Sequence, residues 1–283
     1  MNVFVSTGGN KELTPKESIE TFKKGGITSI ELSGGAYSEN LISDLINLKN
    51  DFKFQVHNYF PPVQNSFVIN LASQNKEIEE RSLNFVKKSI SFASQIGATH
   101  YSFHAGFLLD PKPRELGKKI NKVEIFDRDK AKETFYKNTK NISNFAKKQN
   151  IKLLVENNVV SHENLSNFKV NPFLISEPNE ISEFLKMFDK NEINILIDVA
   201  HLKVSANSLK FKAENFFHSC ADRVGGYHLS DNDGLRDSNE PFNNSSWFWQ
   251  YLNKKTDYYT LEVYNKNPAE LKKLADLVTN KII

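Results

Sequence analysis

Apolar positions recur along this chain in two alternating rhythms. Short runs of aliphatic, β-branched or aromatic residues at about 3–7, 29–32, 52–57, 100–104, 152–156, 194–198, 223–229 and 258–263 read as strands. Between them apolar residues return every three or four positions: Leu83, Val86, Ile90 and Ala93 make one stripe, and Leu271, Leu274, Val278 and Ile282 another. A single stripe at that spacing predicts a helix with one buried face. Thr14-Pro15 and Asn267-Pro268 each set a capping side chain before a proline suited to the first helical turn, while Gly25-Gly26 and Gly97 supply stops.

Strands that alternate with helices throughout the chain must run parallel, with helices covering the sheet. Eight such repeats in 283 residues predict one (β/α)8 barrel spanning 1–283, since such barrels commonly take about 250 residues. The structural alternative is an open doubly wound sheet, but no G-x-G-x-x-G opens after the first strand. No linker rich in Pro, Gly or Ser divides the chain. Two connections, about 107–126 and 157–176, are long enough to be read as lids or binding loops.

Composition adds limits. With 39% hydrophobic and 25% charged residues the chain can bury a full core. The net charge of +3 is spread over amphipathic segments such as 14–25 and 128–148, which suits solvated helix faces better than a nucleic-acid stripe. The lone Cys220 excludes an internal disulfide and is expected to pack as a small apolar residue. No apolar stretch at the start reads as a signal peptide or membrane span, so a cytoplasmic location is expected.

The candidate chemistry sits at strand ends. His57 ends QVH, His104 ends YSFH, Glu156 ends LLVE, Asp198 ends ILID, His228 lies in GYHL and Glu262 in TLEV. In a barrel these ends converge on one face. Glu156, Asp198, His228 and Glu262, each about one repeat from the next, therefore meet. Any one alone is readily a polar group finishing a strand; the same device in four consecutive repeats asks for a common cause. Carboxylates set among Leu, Val and Ile need a counter-charge, which a divalent cation supplies. Two Glu, one Asp and one His suit Mn, Zn, Mg or Co.

The motifs ENN at Glu156, IDVAH at Asp198 and His201, HLSDNDG at His228, and LEV at Glu262 resemble the xylose isomerase-like TIM barrel superfamily over nearly the whole chain. That superfamily contains sugar and sugar-phosphate isomerases and epimerases, and the endonuclease IV group. The resemblance implies one metal on Glu156, Asp198, His228 and Glu262, with Glu156 and Glu262 as the acid/base pair moving a proton through an enediolate. The implied partner is a small sugar or sugar phosphate. His57 and His104, with Glu156, match residues that hold a further zinc in the endonuclease IV group, and FVINLAS after His57 also looks like that group. A second metal, and a zinc phosphodiesterase acting on abasic DNA, form the alternative reading. That group's third metal uses the residue matching His201 with an Asp-x-His pair; here Asp237-Ser238-Asn239 stands there, so a three-zinc centre is not implied. A barrel that only binds is the third reading.

Glu31, His201, Asp231 and Arg236 are candidates for substrate contact, Arg236 toward a phosphate or carboxylate. Trp247, Phe248 and Trp249 are expected at the start of a seventh helix, filling space between helices and barrel. His100, His162 and His218 carry no assigned role.

Overall fold

Each strand run is short and buried on both faces, the pattern of a parallel sheet covered by helices. The computed structural model describes residues 2–282. Its strands are β1 (Asn2–Ser6), β2 (Ser29–Leu32), β3 (Lys53–His57), β4 (His100–His104), β5 (Lys152–Glu156), β6 (Asn194–Asp198), β7 (Val224–Leu229) and β8 (Tyr258–Leu261). Each pairs in parallel with the next, and β8 returns to β1 from Asn2↔Tyr258 to Val5↔Leu261, so the sheet closes as an eight-stranded barrel.

The helices are α1 (Pro15–Lys24), α2 (Leu41–Leu48), α3 (Lys76–Gln95), α4 (Arg128–Lys148), α5 (His162–Phe168), α6 (Pro178–Lys186), α7 (Val199–Leu209), α8 (Ala213–Cys220) and α9 (Pro268–Ile282). The caps form as the sequence predicts. Thr14 Oγ1 accepts from Glu17 N while Glu17 Oε2 accepts from Thr14 N, and Asn267 with Glu270 repeats the exchange before α9.

Two elements differ from expectation by more than one residue. β8 stops at Leu261 rather than 263, although Glu262 N still donates to Leu229 O at 3.1 Å and so continues the line of the strand. No α-helix follows β7; the connection holds only a 3-10 turn at Trp249–Tyr251. Its short polar side chains bind their own backbone instead. Asp233 Oδ1 takes the Leu235 and Arg236 amides, Asn232 Oδ1 that of Gly234, and Asn243 Oδ1 that of Ser245. The aromatic run keeps its packing role, with Phe248 fully buried and Trp247 and Trp249 against the main core.

The barrel interior is filled at one level by Phe4, Leu154, Leu196 and Tyr258. Gly225 and Gly226 of β7 make room for them: a Cβ on Gly226 would stand 2.9 Å from Leu196 Cδ1 and 3.0 Å from Tyr258 Cζ. Outside the barrel a larger core joins strands to helices.

The long connections are held in a cap rather than left as free lids. Phe107 and Phe173 form an antiparallel bridge, and with Val68, Leu109, Ile120 and Val160 they make a separate apolar cluster over β3 to β5. Asn70 Nδ2 donates to Phe107 O, Leu109 O and Asp110 Oδ1, and Asn158 Nδ2 to Ala105 O and Leu174 O. Asn70→Ala leaves buried carbonyls without donors at about 1–3 kcal/mol each, so urea titration is expected to show a loss of roughly 3 kcal/mol. A loss below about 0.5 kcal/mol would show that the cap does not depend on this side chain.

Among the described residues, no helix is long and apolar enough to cross a membrane.

Candidate metal centre

A closed parallel barrel delivers the last residues of all its strands to one mouth. His57, His104, Glu156 and Asp198 end β3, β4, β5 and β6; His228 is next to last in β7, Glu31 next to last in β2, and Glu262 directly follows β8. The pairings His104↔Glu156 and Asp198↔His228 hold these side chains at one level. Glu31, Glu156, Asp198 and His228 are 0% exposed, and the side chain of His104 is 22% exposed.

Glu156 is the hub. Its Oε2 lies 3.3 Å from both His57 Nε2 and His104 Nδ1, while its Oε1 lies 3.3 Å from His228 Nδ1 and 3.5 Å from His201 Nδ1. His228 Nδ1 is also 3.4 Å from Glu262 Oε2 and 3.9 Å from Asp198 Oδ2. Two sets of ligand atoms, each spanning less than 4.8 Å, share Glu156: Glu156, Asp198, His228 and Glu262, and His57, His104 and Glu156. A third such set is Glu31, His57 and His228.

Neighbouring groups fix these side chains. Asp198 caps α7, its Oδ1 taking the His201 amide at 2.7 Å and leaving Oδ2 for the cluster. Asn157 brackets Asp198, donating to its carbonyl and accepting from its amide. His201 Nδ1–H donates to Asn157 O at 3.0 Å, which turns Nε2 toward Asp237 Oδ2 at 3.2 Å. Ser102 Oγ holds His57 Nδ1 at 2.9 Å.

The cluster fits a cation. Both oxygens of Glu156, Asp198 Oδ2, His104 Nδ1 and His228 Nδ1 are buried without a hydrogen-bond partner, and each such group costs about 1–3 kcal/mol unless something satisfies it. They face one another, and mixed carboxylate and imidazole donors suit a divalent ion such as Mn or Zn.

The electrostatics agree. Burial alone would raise Glu156, but His104, His57 and His228 hold it well below the usual carboxylate range. Burial likewise opposes ionisation of Glu262, yet His228 brings it down to about 2. Burial pushes Asp198 up to about 8; His201 pulls it down, while Glu156, Asp237 and Glu262 add to the rise. Burial lowers His104 to about 4, so it is neutral at pH 7. Burial would depress His228 too, but Glu31, Glu262 and Glu156 raise it well above the imidazole range. Cation uptake must therefore displace protons from Asp198 and His228. Manganese affinity is expected to climb as pH rises toward about 8, with proton release seen by calorimetry in buffers of different ionisation enthalpy. Affinity that is flat from pH 6 to pH 8 would contradict this.

A family profile described as xylose isomerase-like TIM barrel matches residues 19–279. The chain belongs to that family. The chain is 26% identical over 182 residues to a probable endonuclease 4 of Thermoplasma volcanium, a match covering 62% of this chain. The chain spans about half of that relative's length, 52%. A D-tagatose 3-epimerase-like protein superposes with TM-score 0.73 at 17% identity over the whole of both chains. An L-ribulose 3-epimerase does so with TM-score 0.71 at 11% identity, over 99% of this chain and 94% of its own. At these identities the superpositions speak for a shared fold.

As a xylose isomerase-like barrel the chain places other expected contacts less centrally. Asp231 is tied to Lys203 Nζ at 2.6 Å and to Ser246 Oγ at 3.2 Å, and its backbone bridges to Glu240, so its carboxylate serves the loop after β7. Arg236 is exposed on the same loop, its amide closing the Asp233 turn. His201 joins the cluster, with Asp237, and Glu31 contacts His228 rather than lining the mouth.

Tyr264 was not singled out by the sequence. Its hydroxyl donates to Glu262 Oε1 at 3.1 Å, and its ring lies on Gly8 and Gly9, where a Cβ would stand 2.5 Å from Tyr264 Oη and 2.9 Å from Cδ1. The paired glycines after β1 were the available signal. Burial, with Glu262 and Asp237 adding to it, raises Tyr264 well above its ordinary value, so it remains a neutral donor.

Proposed function

We propose that this chain is a divalent-metal-dependent isomerase or epimerase of a sugar or sugar phosphate. The observation that carries the reading is the convergence of Glu156 and Glu262, from β5 and the end of β8, on the point shared with Asp198 and His228. Those four residues would hold the ion, which would polarise a substrate carbonyl and acidify the neighbouring C–H. Glu262 turns Oε2 to His228 and Oε1 to Tyr264, so one carboxylate oxygen is free of the ligand set and can hold the transferred proton. Glu156 is the partner acid, reaching the same point from three strands away around the ring. Return of a proton to the opposite face of the same carbon inverts it, and return to its neighbour exchanges aldose and ketose. The names borne by the two epimerase neighbours support the sugar class.

One observation favours a second reading. Glu156 Oε2 is flanked by two imidazoles at 3.3 Å, a second ligand set that a single-ion isomerase does not require and a two-ion phosphodiesterase does. The relative in Thermoplasma points the same way.

The deciding experiment incubates the manganese- and zinc-loaded protein with ketoses, aldoses and their phosphates in D2O, reading C–H exchange by NMR, beside an abasic DNA duplex. Exchange into one sugar without strand cleavage supports the isomerase reading. Cleavage without exchange replaces it with the hydrolase, and neither activity would leave a barrel that only binds.

A further inference from the structure

Glu31 takes no part in the proposed proton transfer, yet it is a fully buried carboxylate at the centre of the barrel. Its Oε2 accepts from Thr260 Oγ1 at 3.0 Å, and its Oε1 stands 2.9 Å from His228 Nε2. The two atoms are within hydrogen-bond reach but out of line, and each is buried without another partner, so a proton on Nε2 that turns to Oε1 satisfies both. Nε2 must therefore carry a proton. The other ring nitrogen, Nδ1, is the one turned to Glu156 Oε1 at 3.3 Å and Glu262 Oε2 at 3.4 Å.

We propose that Glu31, pinned by Thr260, is a positioning residue that fixes His228 as its Nε2–H tautomer and aims the Nδ1 lone pair at the cation bound by Glu156, Asp198 and Glu262. This rests on the metal reading of those four residues given above. It also accounts for the third ligand-type set, Glu31, His57 and His228. An ion there would need the Nε2 electrons that the proton occupies. His57, moreover, turns Nε2 to Glu156 and Nδ1 to Ser102. Glu31 in that set acts through the imidazole, as carboxylate partners of metal-bound histidines do.

The test titrates the metal-free wild type, Glu31→Gln, Thr260→Val and Asp198→Asn with manganese, reading free Mn(II) by EPR. Glu31→Gln is expected to bind about 10–100-fold more weakly. Thr260→Val keeps the charge but releases its pin, and is expected to lose affinity in the same direction by a smaller factor. In the zinc-loaded protein labelled with 15N-histidine, wild-type His228 should show zinc on Nδ1 and a slowly exchanging proton on Nε2, and that proton should exchange faster in Glu31→Gln. A purely structural role would lower thermal stability and leave this signature unchanged. Folded Glu31→Gln with wild-type affinity overturns the proposal, as does zinc on Nε2. If Glu31→Gln does not fold, unchanged affinity in Thr260→Val overturns it. Loss in Asp198→Asn alone sinks the role of Glu31 and keeps the metal site, whereas a wild type that takes up no manganese removes both.

Discussion

Glu262→Gln is expected to lower turnover by about 10²–10⁴-fold under saturating manganese, the range lost when a positioned proton carrier is removed. Glu156, Asp198 and His228 remain to hold the ion, so the fall should lie in turnover and exceed any loss of binding. Tyr264 sharpens the expectation. Its hydroxyl already donates to Glu262 Oε1, so a glutamine oriented to receive that bond turns its NH2 toward the ligand set, where it can neither carry a proton nor ligate. Single-turnover exchange in D2O measures the effect. Turnover within about threefold of wild type would show that another group moves the proton.

Glu156→Gln should act on both ligand sets together. This carboxylate alone belongs to each of them, with one oxygen toward His57 and His104 and the other toward His228. Bound metal per chain, measured by mass spectrometry after dialysis, is expected to fall to a small fraction of the wild-type value whether that value is one ion or two. The loss should exceed the about 10–100-fold typical of a change outside the ligands. His57→Ala separates the sets: it should remove the second ion where one binds and leave the first. Full metal content in Glu156→Gln would show that the carboxylate is not shared.

The strand frame was open to reading because β3 to β6 each end on a charged or imidazole group after a largely apolar run, as in LLVE and ILID, and the boundaries of β2, β4, β5 and β6 fall where the pattern sets them. The same device pointed to the four residues that the structure brings together. Where the reading stopped has physical reasons. The segment after β7 contains aromatic residues at a density that suits a helix, but Asn232, Asp233 and Asn243 bind nearby amides and close turns. Tyr264 matters through the backbone gap at Gly8 and Gly9, which depends on how β1 and β8 meet at closure. Glu31 follows Ile30 in a strand buried on both faces, so alternation could separate the two faces without saying which partner the inward one would meet.

The barrel's seam sets the two ligand sets apart. His57, His104 and Glu156 ride on β3, β4 and β5, which are neighbours in both sequence and ring, so their set does not involve the seam. Glu262 arrives only with β8, whose pairing with β1 joins the two ends of the sequence and is the entropically slowest contact to make. The four-residue cradle is therefore complete only once the ring has shut, whereas the histidine set stands clear of that closure.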